Sequence, residues 1–418
     1  DEIPLVRPQI AAYSEGSIRD LSIAFMNPDR FRAVLPERVE FWPEIENYPF
    51  TAYSKSARAT VAQMFSMIMN GFNHHALDLF DFFDQRFEEH ENLIGVLEER
   101  KAFFQALHVL IPEGSRAYGV KACVHKDALL VRRSQDDWYG GRNLANFINN
   151  MGLPLTHSGD SDWQLLCGDD ILAFNDAELD AIMSKGALMD TTAAEALALR
   201  GQSERIGVRV GDYIPFDQLG YEEFNWPEAE KTQIGRRFPL RLFLGGKPDW
   251  RKLIHCGGKS ISASVIRNFR RLEICDGMIL TENADGERFA VLAFSQQSSR
   301  RLMENRLRTD QVRHALEWIA RKTLPFAVTP KTPYLWPIVN RTVEDKWIVG
   351  IINLSTDRIE TITAIIEEKL FAGTFTILTG EGGRSPITVK IIEQNDQEVI
   401  CEIPCSLEPL EYVVLIFE

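Results

Sequence analysis

The sequence predicts an α/β multidomain protein: a partial (β/α)8 barrel, an open α/β domain and a C-terminal β-sandwich. Three observations predict it. The first ~110 residues alternate strand-like and helix-like patterns in the order β-α-β-α-β-α, which implies parallel strands joined by right-handed crossovers. A second α/β alternation starts at Gly114. From Trp336 onward the pattern is all-β, in short alternating runs separated by Gly, Asp, Asn and Pro. A chain of 418 residues is long for one domain and suits three. The expected boundaries are 1–112, 113–331 and 332–418.

The elements of the first part read as follows. Residues 7–14 (RPQIAAYS) form a short strand, and Ser17–Phe31 carries a helical pattern broken by Asn27-Pro28. Val39–Pro49 (VEFWPEIENYP) alternates as a strand, with Val39, Phe41 and Ile45 on one face and Glu40, Trp42, Glu44 and Glu46 on the other. Ser54–Asn70 is an amphipathic helix with Ala57, Val61, Phe65 and Ile68 at helical spacing, ended by Gly71. Residues 74–82 are a strand, and Glu88–Leu107 is a helix. Three strands do not close a barrel, so the first part is expected to be the last three units of an eight-unit barrel, with five units upstream.

The middle part carries an expected strand at Ala117–His125, a helix at Asp137–Asn149 and a strand at Leu153–His157. A helix capped by Asn175 follows at Asp176–Ser184. Next come a strand at Ala187–Asp190, a helix at Thr191–Arg200, strands near 206–210, 277–281 and 288–294, and a helix at Asp310–Arg321. The last part reads as the strands WIVGIINLS, TITAIIEE, GTFTILTG, ITVKIIEQ, EVICEIP and EYVVLIFE.

Composition narrows the function classes. The chain is 45% hydrophobic and 10% aromatic, enough for a sizeable core, and its net charge is −14. That charge, with a pI of about 5.2, argues against nucleic acid or an anionic membrane as partner and suits a neutral substrate. No apolar run approaches a membrane span. The chain opens Asp1-Glu2-Ile3-Pro4, so a segment is expected upstream. The six cysteines are scattered, and Cys401 and Cys405 (CEIPC) lack companion zinc ligands. They read as reduced, mostly buried thiols of a cytoplasmic protein. No metal and no cofactor is expected.

The candidate chemistry sits on Val39–Pro49. A parallel strand in a barrel has apolar residues on both faces, so carboxylates on the inner face at its carboxyl end mark a site. Paired carboxylates suit a retaining glycosidase, where one attacks the anomeric carbon and another, roughly 5–5.5 Å away, protonates the leaving oxygen. Glu44 and Glu46 lie about 6.5–7 Å apart along one face. One is then the nucleophile and the other its support, rather than the catalytic pair. The bland alternative makes them rim residues paired with Arg38 or Arg58. Adjacent His74 and His75 point to opposite faces of a strand and suit no shared metal. Asp78 and Phe80 share a face, where Asp78 is a carboxylate needing a partner and Phe80 either stacks on a sugar or packs in the core. Tyr13, at the end of the first strand, is a pocket or packing residue. In the middle domain Cys167 (LLCGDD) lacks the Gly two residues before it that a nucleophile elbow requires, so that domain reads as non-catalytic.

The chain resembles the C-terminal part of a clan A glycoside hydrolase of the family 42 β-galactosidase type. The order of parts is similar over nearly the whole chain: barrel end, amidotransferase-like trimerisation domain, small β-sandwich. Ile45-Glu46-Asn47 is similar to the end of the family's seventh strand, and Gly71-Phe72-Asn73 through Phe80 to its eighth, with Phe80 where a Trp is usual. The family's zinc-binding cysteine cluster is missing. The resemblance implies a TIM barrel, Glu46 as nucleophile with Glu44 supporting, Trp42, Asn47, Tyr13, Asp78 and Phe80 near a carbohydrate substrate, and an acid/base upstream of Asp1. It also implies a homo-oligomer, trimer or dimer. This fragment alone is expected to be inactive. The alternatives are a non-catalytic carbohydrate-binding or assembly protein derived from such an enzyme, and a β-mannosidase-like relative.

Overall fold

A computed structural model describes residues 5–8, 21–37, 39–50, 54–80, 86–131, 144–226, 233–240, 250–295, 305–329, 334–341 and 346–417. The chain divides into two compact units. The first comprises 1–119, 149–160 and 324–418, and the second comprises 120–148 and 161–323.

The first unit opens with parallel strands. β1 (Leu5–Val6) pairs in parallel with β2 (Glu40–Phe41) across helix α1 (Leu21–Val34). β3 (Glu44–Glu46) pairs in parallel with β4 (Ala76–Asp78) across helix α2 (Ala57–Met69). β2 and β3 are one extended stretch, because Trp42 N–H still donates to Val6 O at 3.0 Å and Glu44 N–H to Pro8 O at 3.4 Å. Pro43 separates the two, since it has no N–H for the ladder. The result is three parallel lines of chain in βαβ connection. A closed barrel is not seen among the described residues. The sequence pattern breaks the first helix at Asn27-Pro28, whereas α1 runs through both. A Pro inside a helix removes one N–H donor, and here the helix goes on past it for six residues.

Local chemistry sets α2. Ser56 caps it, its hydroxyl accepting from Ala59 N–H at 3.2 Å. Asn70 closes it, and Gly71 follows at φ +77°, where a Cβ would lie 2.0 Å from Ser115 O. One side of α2 meets the strands in a small core of Ile45, Met67, Phe72, Leu79 and Leu93. Another carries Phe65, stacked on Tyr412 at 4.1 Å between centroids. Gly350 leaves room for it: a Cβ there would meet Phe65 Cζ at 2.8 Å.

Helix α3 (Glu91–Leu110) leads to β5 (Ala117–Tyr118). The expected strand over 117–125 divides at Gly119. Its φ is +155°, and a Cβ there would lie 2.4 Å from Pro154 O, so the position suits only glycine. β5 then pairs antiparallel with Leu335–Arg341, and Val120–Ala122 belongs to the other unit.

The C-terminal part is sandwich-like. One antiparallel sheet runs Phe326–Val328, Ile359–Glu367, Glu398–Leu407, Lys390–Gln394. The other runs Arg384–Thr388, Thr374–Leu378, Tyr412–Phe417, Trp347–Asn353, Leu335–Arg341, β5. Inward residues of both, among them Val349, Ile351, Ile362, Ala364, Phe375 and Leu415, form one core.

The second unit holds a mixed sheet. Val120–Ala122, Gln164–Leu166, Ala187–Met189 and Arg288–Leu292 run parallel. Glu273–Glu282, Lys259–Arg267, Tyr221–Phe224 and Arg237–Pro239 extend it antiparallel. The Asn175 cap is a full capping box with Glu178. The strands at 164–166, 221–224, 237–239, 251–255 and 259–267 escaped the sequence reading.

Candidate functional site

The hydrophobic alternation of Val39–Pro49 holds in space. Phe41 and Ile45 face the α2 side with Met67, Phe72 and Leu79. Glu44 and Glu46 alternate with Ile45 and face the other way. The register sets Glu46 opposite Asp78 and Glu44 opposite Ala76. Adjacent parallel strands lie about 4.8 Å apart, so Glu46 has a carboxylate residue beside it on β4 and another two positions back on β3.

Environment separates these acids. Glu44 is buried, and its carboxylate pairs with Arg7 Nη1 at 3.3 Å, the Arg7 side chain being 57% exposed. Glu46 is only partly buried. Burial pushes its carboxyl above the usual glutamate range, and the charges of Glu44 and Asp78 push it further, while Lys55 and Arg7 oppose them. Carboxylates that share a site cannot all ionise at their ordinary pKa. Glu46 therefore combines a raised proton affinity with a side chain that solvent can reach.

Lys55 completes the arrangement. It is buried, and its Nζ donates to Glu46 O at 2.9 Å and to Gln63 Oε1 at 2.6 Å. Ser54 O–H donates to Asn47 O at 3.0 Å, so Ser54 and Lys55 both hold the carboxyl end of β3.

The other sequence candidates are distributed unevenly. Trp42 stacks on His74 at 5.5 Å between centroids, and its indole N–H donates to Glu40 Oε1 at 2.8 Å. Asn47 is buried and its amide engages Thr60 Oγ1 of α2 at 3.3 Å, while its backbone N–H donates to Asp78 O at 3.0 Å. Phe80 packs against the Ile45 core and the edge of His90. Tyr13 lies outside the described residues. The strands thus bring Glu44, Glu46 and Asp78 together, place Trp42 beside His74, and turn Asn47 toward α2. Of the bland alternative's partners, Arg58 is exposed and Arg38 lies outside the described residues.

His74, His75 and His108 lie within electrostatic reach of one another. His74 Nε2 lies 3.2 Å from Glu113 Oε2. His75 is pushed down to about 4, chiefly by burial and then by His108, which burial and His74 also lower. Among the described residues no cluster of three or more metal-ligating side chains is formed.

In the second unit Cys167 follows the strand Gln164–Leu166 and is buried. Burial, then the Asp190 charge, pushes its thiol well up. A thiol that holds its proton is neither a nucleophile nor a metal ligand. All six cysteines are free. Among the described residues no helix is long and apolar enough to cross a membrane.

Neither a family model nor a curated protein matches this chain. The reading of the site therefore rests on its own residues. Sequence reasoning missed Lys55 and Arg7. Lys55 carried a signal: a cation just before a helix N-terminus opposes the macrodipole, so its presence there calls for a nearby anion.

Proposed function

We propose that the chain carries the nucleophile side of a retaining β-glycoside hydrolase, similar to the family 42 β-galactosidases, with β1 to β4 as the last strands of a (β/α)8 barrel. The observation that supports it is the inner face of β3 and β4. There Glu46 stands beside Asp78 and beyond Glu44, on the side turned away from the helix-side core. Glu46 is the nucleophile and Glu44, paired with Arg7, is its buried support. In this reading a Glu46 carboxylate oxygen bonds to the anomeric carbon as the bond to the leaving group breaks. The leaving group departs with the electron pair, and water later cleaves the glycosyl ester.

A 2-deoxy-2-fluoro-β-glycosyl fluoride tests the nucleophile alone, because fluoride leaves without protonation. Incubation with galacto, gluco and manno forms should add one fluoroglycosyl mass to the protein, on a peptide containing residues 39–50. Glu46→Gln should abolish the label and Glu44→Gln should slow it. A label that survives in Glu46→Gln, or no label with any sugar, overturns the reading. The second outcome, together with retained sugar binding, would favour a carbohydrate-binding protein.

A further inference from the structure

We infer that the second unit holds a binding cleft for a small, neutral, largely apolar molecule carrying one hydrogen-bond acceptor, which the indole N–H of Trp226 engages. The cleft belongs to the second unit and Glu46 to the first, so the site goes beyond the glycosidase reading and does not depend on it.

Two neighbouring strands and a helix build it. Phe224 ends the strand Tyr221–Phe224. Asn225 N–H still donates to Ala263 O at 3.1 Å, so the chain stays extended past that end, and Phe224 and Trp226 share a face. Ala263 comes from the strand Lys259–Arg267 and Gln311 from the helix Arg306–Ala320. Gln233 and Ile234 complete the lining among the described residues. Five of the six are buried, and Ile234, 46% exposed, stands at the mouth.

Both amides of the wall are held by other residues. Gln311 Oε1 accepts from Arg308, and its Nε2 donates to Ala263 O at 3.4 Å. Gln233 Nε2 donates to the Asp310 carboxylate. Trp226 differs. It is 2% exposed, and its indole N–H meets no acceptor. His314 stands edge-on to it at 6.0 Å between centroids, but the two rings share no hydrogen bond. A buried indole N–H ordinarily finds a partner, and a buried donor without one is costly. Small-molecule sites are mostly apolar, with few polar groups that fix orientation. This cleft offers aromatic and aliphatic walls and one unsatisfied donor. No charged side chain lines it among the described residues, so an ion would enter unpaired and a neutral ligand suits it.

Acetophenone and ethylbenzene are the probes. They are alike in shape, and only the first has a carbonyl acceptor. Binding to the full chain is followed by NMR at the side-chain Hε1 of Trp226, assigned by its loss in Trp226→Phe, and by the Kd of each probe. Both should bind at millimolar concentration, and acetophenone alone should move Hε1 downfield. Trp226→Phe keeps a ring and loses the donor, so it should weaken acetophenone roughly 2–10-fold more than ethylbenzene. Ile234→Asp sets a charge at the mouth and should weaken both probes at least about tenfold. The inference is overturned if neither probe binds, if acetophenone leaves Hε1 unmoved, or if Trp226→Phe leaves the preference between the probes unchanged. Binding that survives Ile234→Asp also overturns it, because the probes then sit elsewhere. If Trp226→Phe does not fold, the Ile234→Asp comparison decides by itself.

Discussion

Asp29→Asn is expected to be severely destabilising, and its cost can be worked from the contacts. Asp29 is 4% exposed on α1. Its Oδ1 accepts from Arg32 Nη2 at 2.9 Å and from the Ser158 hydroxyl. Its Oδ2 accepts from the backbone N–H of His157 at 2.5 Å, that of Ser158 at 3.3 Å and the Thr156 hydroxyl at 3.2 Å. Asparagine keeps one acceptor oxygen and turns an amide NH2 toward groups that are themselves donors. Each charge-assisted bond is worth about 1.5–3 kcal/mol. The losses are not additive, and removing one member of a buried ion pair costs about 3–5 kcal/mol in total. We expect a loss of that size at pH 7, read by urea-dependent hydrogen exchange on peptides covering 21–34 and 155–158. The pH dependence supplies a second check. Burial would raise the Asp29 carboxyl, but the His157 hydrogen bond, the Arg32 charge and Ser158 hold it well below its ordinary 3.8. A carboxylate depressed in the folded state contributes stability that is fully present above the unfolded value and is lost as pH falls below it. The gap between wild type and variant should stay constant from pH 7 to about 5 and shrink below about pH 4. A loss under about 1 kcal/mol, or a gap unchanged down to pH 3, would refute the reasoning.

Two further outcomes follow from the same physics. Arg308 (1% exposed) pairs with Glu222 (0%), which also accepts from the Ser264 hydroxyl at 2.5 Å. Arg308→Met should cost about 3–5 kcal/mol in thermal unfolding, and Arg308→Met with Glu222→Met should recover most of it, because the stranded charge is gone. His75, held down to about 4, stays neutral when folded and charges near 6.5 when unfolded. Its stabilisation is present above pH 6.5 and is lost as pH falls toward 4, on the order of 3 kcal/mol. His75→Phe should flatten stability across that window, and an unchanged slope would count against the assignment.

Much of the fold was legible because its signals are local. The amphipathic helix read over Ser54–Asn70, its stop at Gly71 and the alternation of Phe41 and Ile45 against Glu44 and Glu46 are each decided within a few residues. The capping box at Asn175 and five of the six C-terminal alternating runs are of the same kind, whereas ITVKIIEQ divides at Val389 into strands of two different sheets. What escaped is decided at long range. β5 and Val120–Ala122 read as one strand because nothing near Gly119 says that the two halves join different sheets. Lys259–Arg267 (KSISASVIR) hides its strand behind three polar residues among its first four. At the site, the face bearing Glu46 was readable from parity alone. The partners that tune it were not: Arg7 and Lys55 reach it across 37 and 9 residues of chain.

The route of the chain has a consequence for its synthesis. α2 packs its Phe65 on Tyr412, and the strand Tyr412–Phe417 lies between Thr374–Leu378 and Trp347–Asn353 inside its sheet. The helix that joins β3 to β4 thus rests on a strand translated some 340 residues later. At about 5–20 residues per second, that partner emerges from the ribosome roughly 20–70 s after α2 does. Meanwhile Phe65 has Phe103 of α3 beside it but not the Tyr412 ring. Chaperone dependence of this unit should accordingly track elongation rate, and codon choices that hasten residues 324–417 should raise its soluble yield while leaving the folded molecule unchanged.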